Sequence, residues 1–413
     1  MSEQQQSPLA AGSSDAGLPA GATAVRRLAE LDALRAFALL GIFLVNVQFF
    51  ADPARFEGLP TPQDPAGTAV LAFVAALFTG KFYILFSFLF GYSFVLLWNA
   101  CHQRGQDIVP VALRRFGSLL ALGLAHGLLL FTGDILVGYA IGGAVLLASR
   151  AIRVRTATRL GIWIVAAIGV LMGLLAGLMA LIEPWLASDP AFTAALEAAA
   201  RPAEEGHLAS NLALYPTTLG GILVGQVPLV LGLFFLGLAS GKARLLERGI
   251  TPRTLRRTAL TGLAVGLPGA AVSAWGAELS QSYTGFVAAF AASTLTGPFL
   301  TAAYVCLLLL AFRTAPGGRL RAALAPAGRM ALSNYLAQSV VMCLVFTDYG
   351  LDLAGALHPG SVVALCLGVY ALQLAVSALW MARFGYGPVE GLLRAATYWR
   401  RPTWAPRSAD TAA

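Results

Sequence analysis

Charge is what this sequence has least of. Lys, Arg, Asp and Glu make up only 12% of its 413 residues while 58% are apolar; an ordinary soluble domain carries roughly 25% charged residues. A soluble single-core domain is therefore excluded. Cysteine is also scarce: Cys101, Cys306, Cys343 and Cys366 are the only four, with no CxxC pair, which argues against a disulfide framework or a cysteine metal site. None of the four histidines has a partner at metal-ligand spacing, and no haem, flavin or nucleotide motif occurs. The expectation is no metal and no tightly bound cofactor.

Long apolar runs are abundant. A spanning helix needs about 20 mostly apolar residues, and ten such runs lie near 32–50, 81–100, 112–131, 135–149, 161–182, 216–240, 258–276, 286–312, 329–349 and 361–382. The run 66–78 is too short to cross comfortably and reads as an interfacial or re-entrant piece. The expected fold class is all-α, a polytopic membrane helical bundle, with one transmembrane domain over 26–402 between disordered tails at 1–25 and 403–413. With the N-terminus inside, the basic clusters at 26–27, 114–115, 149–159, 242–257, 313–329 and 394–402 all fall on one side. Positive-inside bias then predicts that both termini are cytoplasmic. The net charge of +8 is accounted for by topology and by attraction to membrane lipids, not nucleic acid. A cleavable signal peptide is disfavoured because Phe49 stands where cleavage at Ala51 wants a small residue.

The acidic loop 183–215 reads as an amphipathic helical cap on the outer face, with a metal or substrate role for Glu204, Glu205 and His207 as the lesser alternative. Gly169, Gly173 and Gly177 recur every fourth residue, as do Gly123 and Gly127; such spacing lets helix backbones approach closely.

Polar groups inside the spans carry the functional information, because a mid-helix charge costs about 2.5 to 3.5 kcal/mol on insertion scales. In LDALRAFALLGIFLVN (31–46), Asp32, Arg35 and Asn46 fall on one helical face. They form either an interfacial ion pair plus an interhelical amide or the polar wall of a cavity, in which Arg35 would hold a phosphate or carboxylate. Lys81, opening the second run, either snorkels to the headgroups or points inward to neutralise an anion; Ser87 and Gly91 on that helix would admit a close neighbour or ligand. His126 sits in an otherwise apolar run with Asp134 eight residues on. Imidazole can take a proton from an acceptor hydroxyl while a carboxylate fixes its tautomer; the bland alternative is an interhelical hydrogen bond. Ser333, Asn334, Tyr335 and Gln338 cluster at the start of the ninth run, to bind a polar ligand or to tie helices together. Arg329 reads as topogenic and Glu390 as a partner of neighbouring basic residues.

The segments RLAELDALRAFALLGIFLVN, KFYILFSFLFGYSF, HGLLLFTGDILVGYA, GRMALSNYLAQS and FGYGPVEGLLRAATYWRRP resemble, in order, the YeiB-like bacterial membrane protein family. The resemblance runs from about residue 26 to 402, and its C-terminal region, about 216–402, is a domain of unknown function. It implies a bacterial inner-membrane location. Where the family usually has Arg-Gly, this chain has Arg35-Ala36. The first span and helical plan are similar to those of transmembrane acyltransferases, including the heparan-glucosaminide acetyltransferase group, which pass an acyl group from cytoplasmic acyl-CoA to an acceptor across the membrane. In several such families a histidine lies in or just after the first span; here Asn46 and ADPARFEGLP offer none, so His126 would substitute. Two functions follow. As an acyltransferase, the protein would take acyl-CoA as co-substrate and a small-molecule or lipid-linked hydroxyl or amine as acceptor, with His126 and Asp134 catalytic. As a proton-coupled transporter, it would line a pathway with Asp32, Asn46, His126, Asn334 and Gln338.

Overall fold

The computed structural model describes residues 20–57, 63–191, 206–280, 282–400 and 404. Within them the chain is an all-α membrane bundle of fourteen α-helices: α1 (Ala20–Ala51), α2 (Pro65–Leu77), α3 (Lys81–Gln103), α4 (Ile108–Leu129), α5 (Leu136–Ala148), α6 (Val154–Ala187), α7 (His207–Gly221), α8 (Val227–Lys242), α9 (Pro252–Ala274), α10 (Tyr283–Ala311), α11 (Ala315–Arg329), α12 (Ala331–Phe346), α13 (Pro359–Arg383) and α14 (Pro388–Tyr398). Helix α1 starts inside the stretch expected as a tail; residues 1–19 and 405–413 lie outside the described ones.

Local chemistry sets many of the starts. Thr251, Ser282 and Thr314 each accept a hydrogen bond from the backbone N–H three residues on, satisfying a donor that the helix leaves orphaned. Pro228 follows a five-residue π turn, Ile222–Gln226, that joins α7 to α8. A proline ring excludes the regular carbonyl contact one turn back, and the π turn absorbs the misfit.

Ten spans were expected; among the described residues eight helical stretches are long and apolar enough to cross, and α11 with α12, bent by 77°, count as a ninth if the pair is one broken span. The shortfall is α5. Its apolar run is cut by a non-helical turn at 130–135, leaving 13 helical residues, about 20 Å at 1.5 Å per residue against a core of about 30 Å. Irregular backbone at such depth is tolerated where protein covers it, and here it is covered: Phe131, Thr132 and Asp134 are all buried. The piece 66–78, expected as interfacial or re-entrant, forms α2, which joins α3 in one stretch, Pro65–Gln103, across a short turn at Gly80 (φ 86°). Helix α6 runs to Ala187, so the acidic loop begins later than expected, and Glu183 accepts hydrogen bonds from the N–H groups of Tyr283 and Thr284 at the start of α10.

The centre is built on α1 and α3. Helix α3 crosses α8 with backbone against backbone: a Cβ on Gly91 would lie 2.2 Å from the Phe234 carbonyl oxygen, and one on Gly237 would lie 2.1 Å from that of Phe88. Gly237→Leu is expected to lower thermal stability in detergent by about 3 kcal/mol or more, because overpacking here cannot be relieved by turning a side chain; a melting point within 1–2 °C of native would contradict it. Gly123 and Gly127 also meet neighbours, Asp134 and Tyr215, and Gly169 meets Leu295, but Gly173 and Gly177 touch nothing among the described residues. The glycine row of α6 is therefore only partly an interface.

Candidate functional site

The turn between α4 and α5 returns the chain so that Asp134 lies beside His126, one helical turn below the end of α4. His126 Nδ1 is 2.9 Å from Asp134 Oδ1, and the two side chains are 1% and 0% exposed. The other ring nitrogen, Nε2, is 2.8 Å from Ser339 Oγ on α12. Asp134 is fixed in turn, since its Oδ2 accepts the Val137 N–H at 3.0 Å as α5 begins. Gly123 permits this, for a Cβ there would lie 2.7 Å from Oδ2. In the tautomer that carries its proton on Nδ1, His126 donates to the Asp134 carboxylate and leaves Nε2 to accept from a hydroxyl. A buried Asp–His–hydroxyl relay can extract a proton from an alcohol or amine.

Directly behind this relay lies a cavity of about 280 Å³ that runs toward the end of the bundle carrying the basic clusters. Its deep wall includes Ile135 and Leu136, which follow Asp134, together with Tyr139 and Tyr335. Its body is apolar, with Leu39, Phe86, Phe90 and Leu119; its far end holds Arg35, Arg115, Arg329 and Glu390. The Tyr335 ring, which lines the cavity, stands 5.0 Å from the His126 ring, while His126, Asp134 and Ser339 themselves lie outside the lining. The buried Tyr335 hydroxyl approaches the Ile135 backbone N–H without completing a hydrogen bond. An anionic head with an apolar tail matches this lining.

The expected residues divide. Arg35 lines the cavity, is ion-paired to Asp32 and donates to Ser93 Oγ at 2.7 Å. Asn46 does not reach the cavity: it lies on the same face of α1 as Arg35, Leu39 and Ile42 but beyond them, half-buried and without a hydrogen bond among the described residues. Asp32 is also outside the lining, so the expected polar wall reduces to Arg35. Lys81 neither snorkels nor faces the cavity: it is 1% exposed, and its Nζ donates to Ala75 O at 3.2 Å, capping the end of α2. Ser87, by contrast, reaches Tyr139 Oη at 2.7 Å.

On α12 the four polar neighbours serve different ends, and only Tyr335 lines the cavity. Asn334 Nδ2 donates to Ser377 Oγ at 3.0 Å and to Ala327 O at 3.2 Å; Gln338 Nε2 donates to Gln373 Oε1 at 2.9 Å, and Gln373 returns a bond to Asn334 O. These amides tie α12 to α11 and α13. Gln338→Leu is expected to cost about 0.6 to 1.7 kcal/mol and to leave the cavity intact, which a melting curve and ligand binding would check. Ser333 Oγ donates to Glu390 Oε2 at 2.5 Å, while Glu390 Oε1 accepts from Leu332 N and Ser333 N at 2.7 and 3.1 Å. Glu390 thus caps α12 where α11 breaks, rather than pairing with a basic residue. His207 lies 2.9 Å from Leu130 O, covering the α4–α5 turn; Glu204 and Glu205 lie outside the described residues. No cluster able to hold a metal occurs among the described residues.

Sequence reasoning missed Ser339, Arg115 and Tyr139. Ser339 follows Tyr335 by one turn, on a different face from Asn334 and Gln338, and that face was the available signal. Arg115 was absorbed into a topogenic pair; it is half-buried, lines the cavity and has no ion-pair partner among the described residues.

Residues 240–400 match a family described as a protein of unknown function, DUF418. The chain is 29% identical over 412 residues to the uncharacterised protein YxaH of Bacillus subtilis (strain 168), covering 93% of this chain and 97% of that one. It is 28% identical over 391 residues to the uncharacterised protein YeiB of Escherichia coli (strain K12), covering 90% and 97%. An uncharacterised 39.9 kDa protein of Bacillus acidopullulyticus is 28% identical over 389 residues, covering 93% and 98%. These matches bear out the YeiB-like resemblance read from the motifs.

Proposed function

We propose that this YeiB-like chain is an acyltransferase of the bacterial inner membrane, with both termini cytoplasmic, the short α5 and the buried turn before it together making the tenth crossing. It takes an acyl group from a cytoplasmic acyl-CoA and gives it to a hydroxyl or amine. The observation that carries this reading is the buried Asp134–His126 pair, 2.9 Å apart, immediately behind a cavity whose far end holds Arg35, Arg115 and Arg329. Under positive-inside topology the arginine end faces the cytoplasm. Guanidinium groups suit the phosphates of coenzyme A, and the body of the cavity suits the pantetheine arm, whose thioester end then lies at the deep wall beside the relay.

His126 Nε2 accepts the proton of the attacking group. The attacking atom bonds to the thioester carbonyl carbon, the C–S bond breaks, and His126 returns the proton to the leaving thiolate. Asp134 keeps the proton on Nδ1 and stabilises the imidazolium. Proton-coupled transport has less support, because Asn334 and Gln338 are spent on bonds to α11 and α13 rather than lining a polar pathway.

The test is to incubate the purified protein with labelled acetyl- and longer acyl-CoA, with and without membrane lipid extract, and to follow free CoA. Release dependent on His126 is expected. CoA release that persists unchanged without His126 would sink the assignment.

A further inference from the structure

We propose that Ser339 is the nucleophile of this site and carries the acyl group as an oxygen ester between donor and acceptor. The inference rests on the acyl-transfer reading and adds a covalent step to it.

The hydroxyl geometry sets Ser339 apart. Hydroxyls on helices of this bundle commonly turn back to the carbonyl one turn earlier, as Ser93 does to Leu89, Ser118 to Arg114 and Thr397 to Leu393, the ordinary way to satisfy a helical serine. Ser339 instead places Oγ 2.8 Å from His126 Nε2, on a helix 213 residues away in sequence. With Asp134 on Nδ1 and Ser339 on Nε2, each ring nitrogen has one partner, and the order carboxylate, imidazole, hydroxyl is that of an activated nucleophile. The three residues are 1%, 2% and 5% exposed, so an ester formed there is shielded from water. Tyr335, one turn before Ser339, lines the deep wall of the cavity, so Ser339 lies behind the side chain that the thioester end of a pantetheine arm in the cavity would meet.

In the first half-reaction the Ser339 hydroxyl gives its proton to His126 Nε2, Oγ bonds to the thioester carbonyl carbon, and the C–S bond breaks. The thiolate leaves with the proton from Nε2. In the second, an acceptor hydroxyl or amine gives its proton to Nε2 and attacks the ester, and Ser339 recovers a proton as its C–O bond breaks. Atoms balance, and no redox partner is needed.

The test uses the full-length protein, radiolabelled dodecanoyl-CoA and, separately, an alkyl fluorophosphonate. Acid-quenched protein is expected to carry acyl label on the Ser339 peptide, stable to neutral hydroxylamine and cleaved at alkaline pH. Ser339→Ala loses the label and at least about 100-fold of CoA release. Ser339→Cys, nearly isosteric, retains a label that becomes labile to neutral hydroxylamine. His126-dependent fluorophosphonate labelling at Ser339 without any CoA release would uphold the nucleophile and fail the proposed donor. Near-native CoA release by Ser339→Ala, with His126→Ala silent, would overturn the covalent route and leave direct transfer standing. Absence of both labels overturns the nucleophile.

Discussion

Replacing His126 by glutamine together with Asp134 by asparagine is expected to lower CoA release by about 10²- to 10⁴-fold, the contribution of a positioned general base, in a protein that still folds. The double change matters. His126→Ala alone strands Asp134, which is buried and keeps, among the described residues, only the Val137 N–H as a partner. An uncompensated buried charge of that kind costs about 3–5 kcal/mol, so activity lost by the single variant could be mistaken for unfolding. The amide pair removes the charge and the base while preserving volume. Asp134→Asn by itself should also lose most of the activity, because the amide no longer dictates which ring nitrogen carries the proton. Melting points separate the two effects: the single alanine variant melts well below native, the double amide variant close to it. If the double variant keeps more than about a tenth of native turnover, His126 is not the base.

Arg115→Glu is expected to raise KM for acyl-CoA with little change in kcat. Charge-assisted hydrogen bonds are worth about 1.5–3 kcal/mol each, which corresponds to about a ten- to hundredfold rise. An interaction with a part of the donor remote from the reacting carbonyl is made equally in ground and transition states, so kcat is spared. Arg115 is the clean place to test this. Arg35 is ion-paired to Asp32 and bonded to Ser93, so its removal would disturb α1 and α3. Arg115 has no ion-pair partner among the described residues, and Glu390, the carboxylate that shares the cavity with it, is held by the start of α12. Arg115→Lys should recover part of the affinity, because the ammonium keeps the charge but loses the planar fork. An unchanged KM in Arg115→Glu would remove the arginine end of the cavity from donor binding.

The class of the molecule was legible in composition. With 12% charged residues and long apolar runs, the chain could only satisfy its backbone as helices in lipid. The pairing of His126 with Asp134 was also within reach, because the two flank a short turn and are eight residues apart. The YeiB-like motifs pointed to the relatives that the matches then bore out. Fewer stretches than the ten expected are long enough to cross by themselves, because the run at 135–149 yields only 13 helical residues beyond the turn that carries Asp134.

What only the tertiary structure decided are the contacts between distant helices. Helical periodicity says which residues share a face, but not what that face meets. Asn46 shares the face of Arg35 and misses the cavity. Asn334 and Gln338 bind α11 and α13, while Tyr335 and Ser339, rotated by one residue, meet the cavity and His126. Lys81 caps α2 by donating to Ala75 O across the turn at Gly80, and Glu390 caps α12 from 57 residues away. Composition and periodicity are local along the chain, so they fixed the solvent and the helices. The order in which helices pack is a property of the whole bundle, and it alone brought Asp134, His126 and Ser339 together.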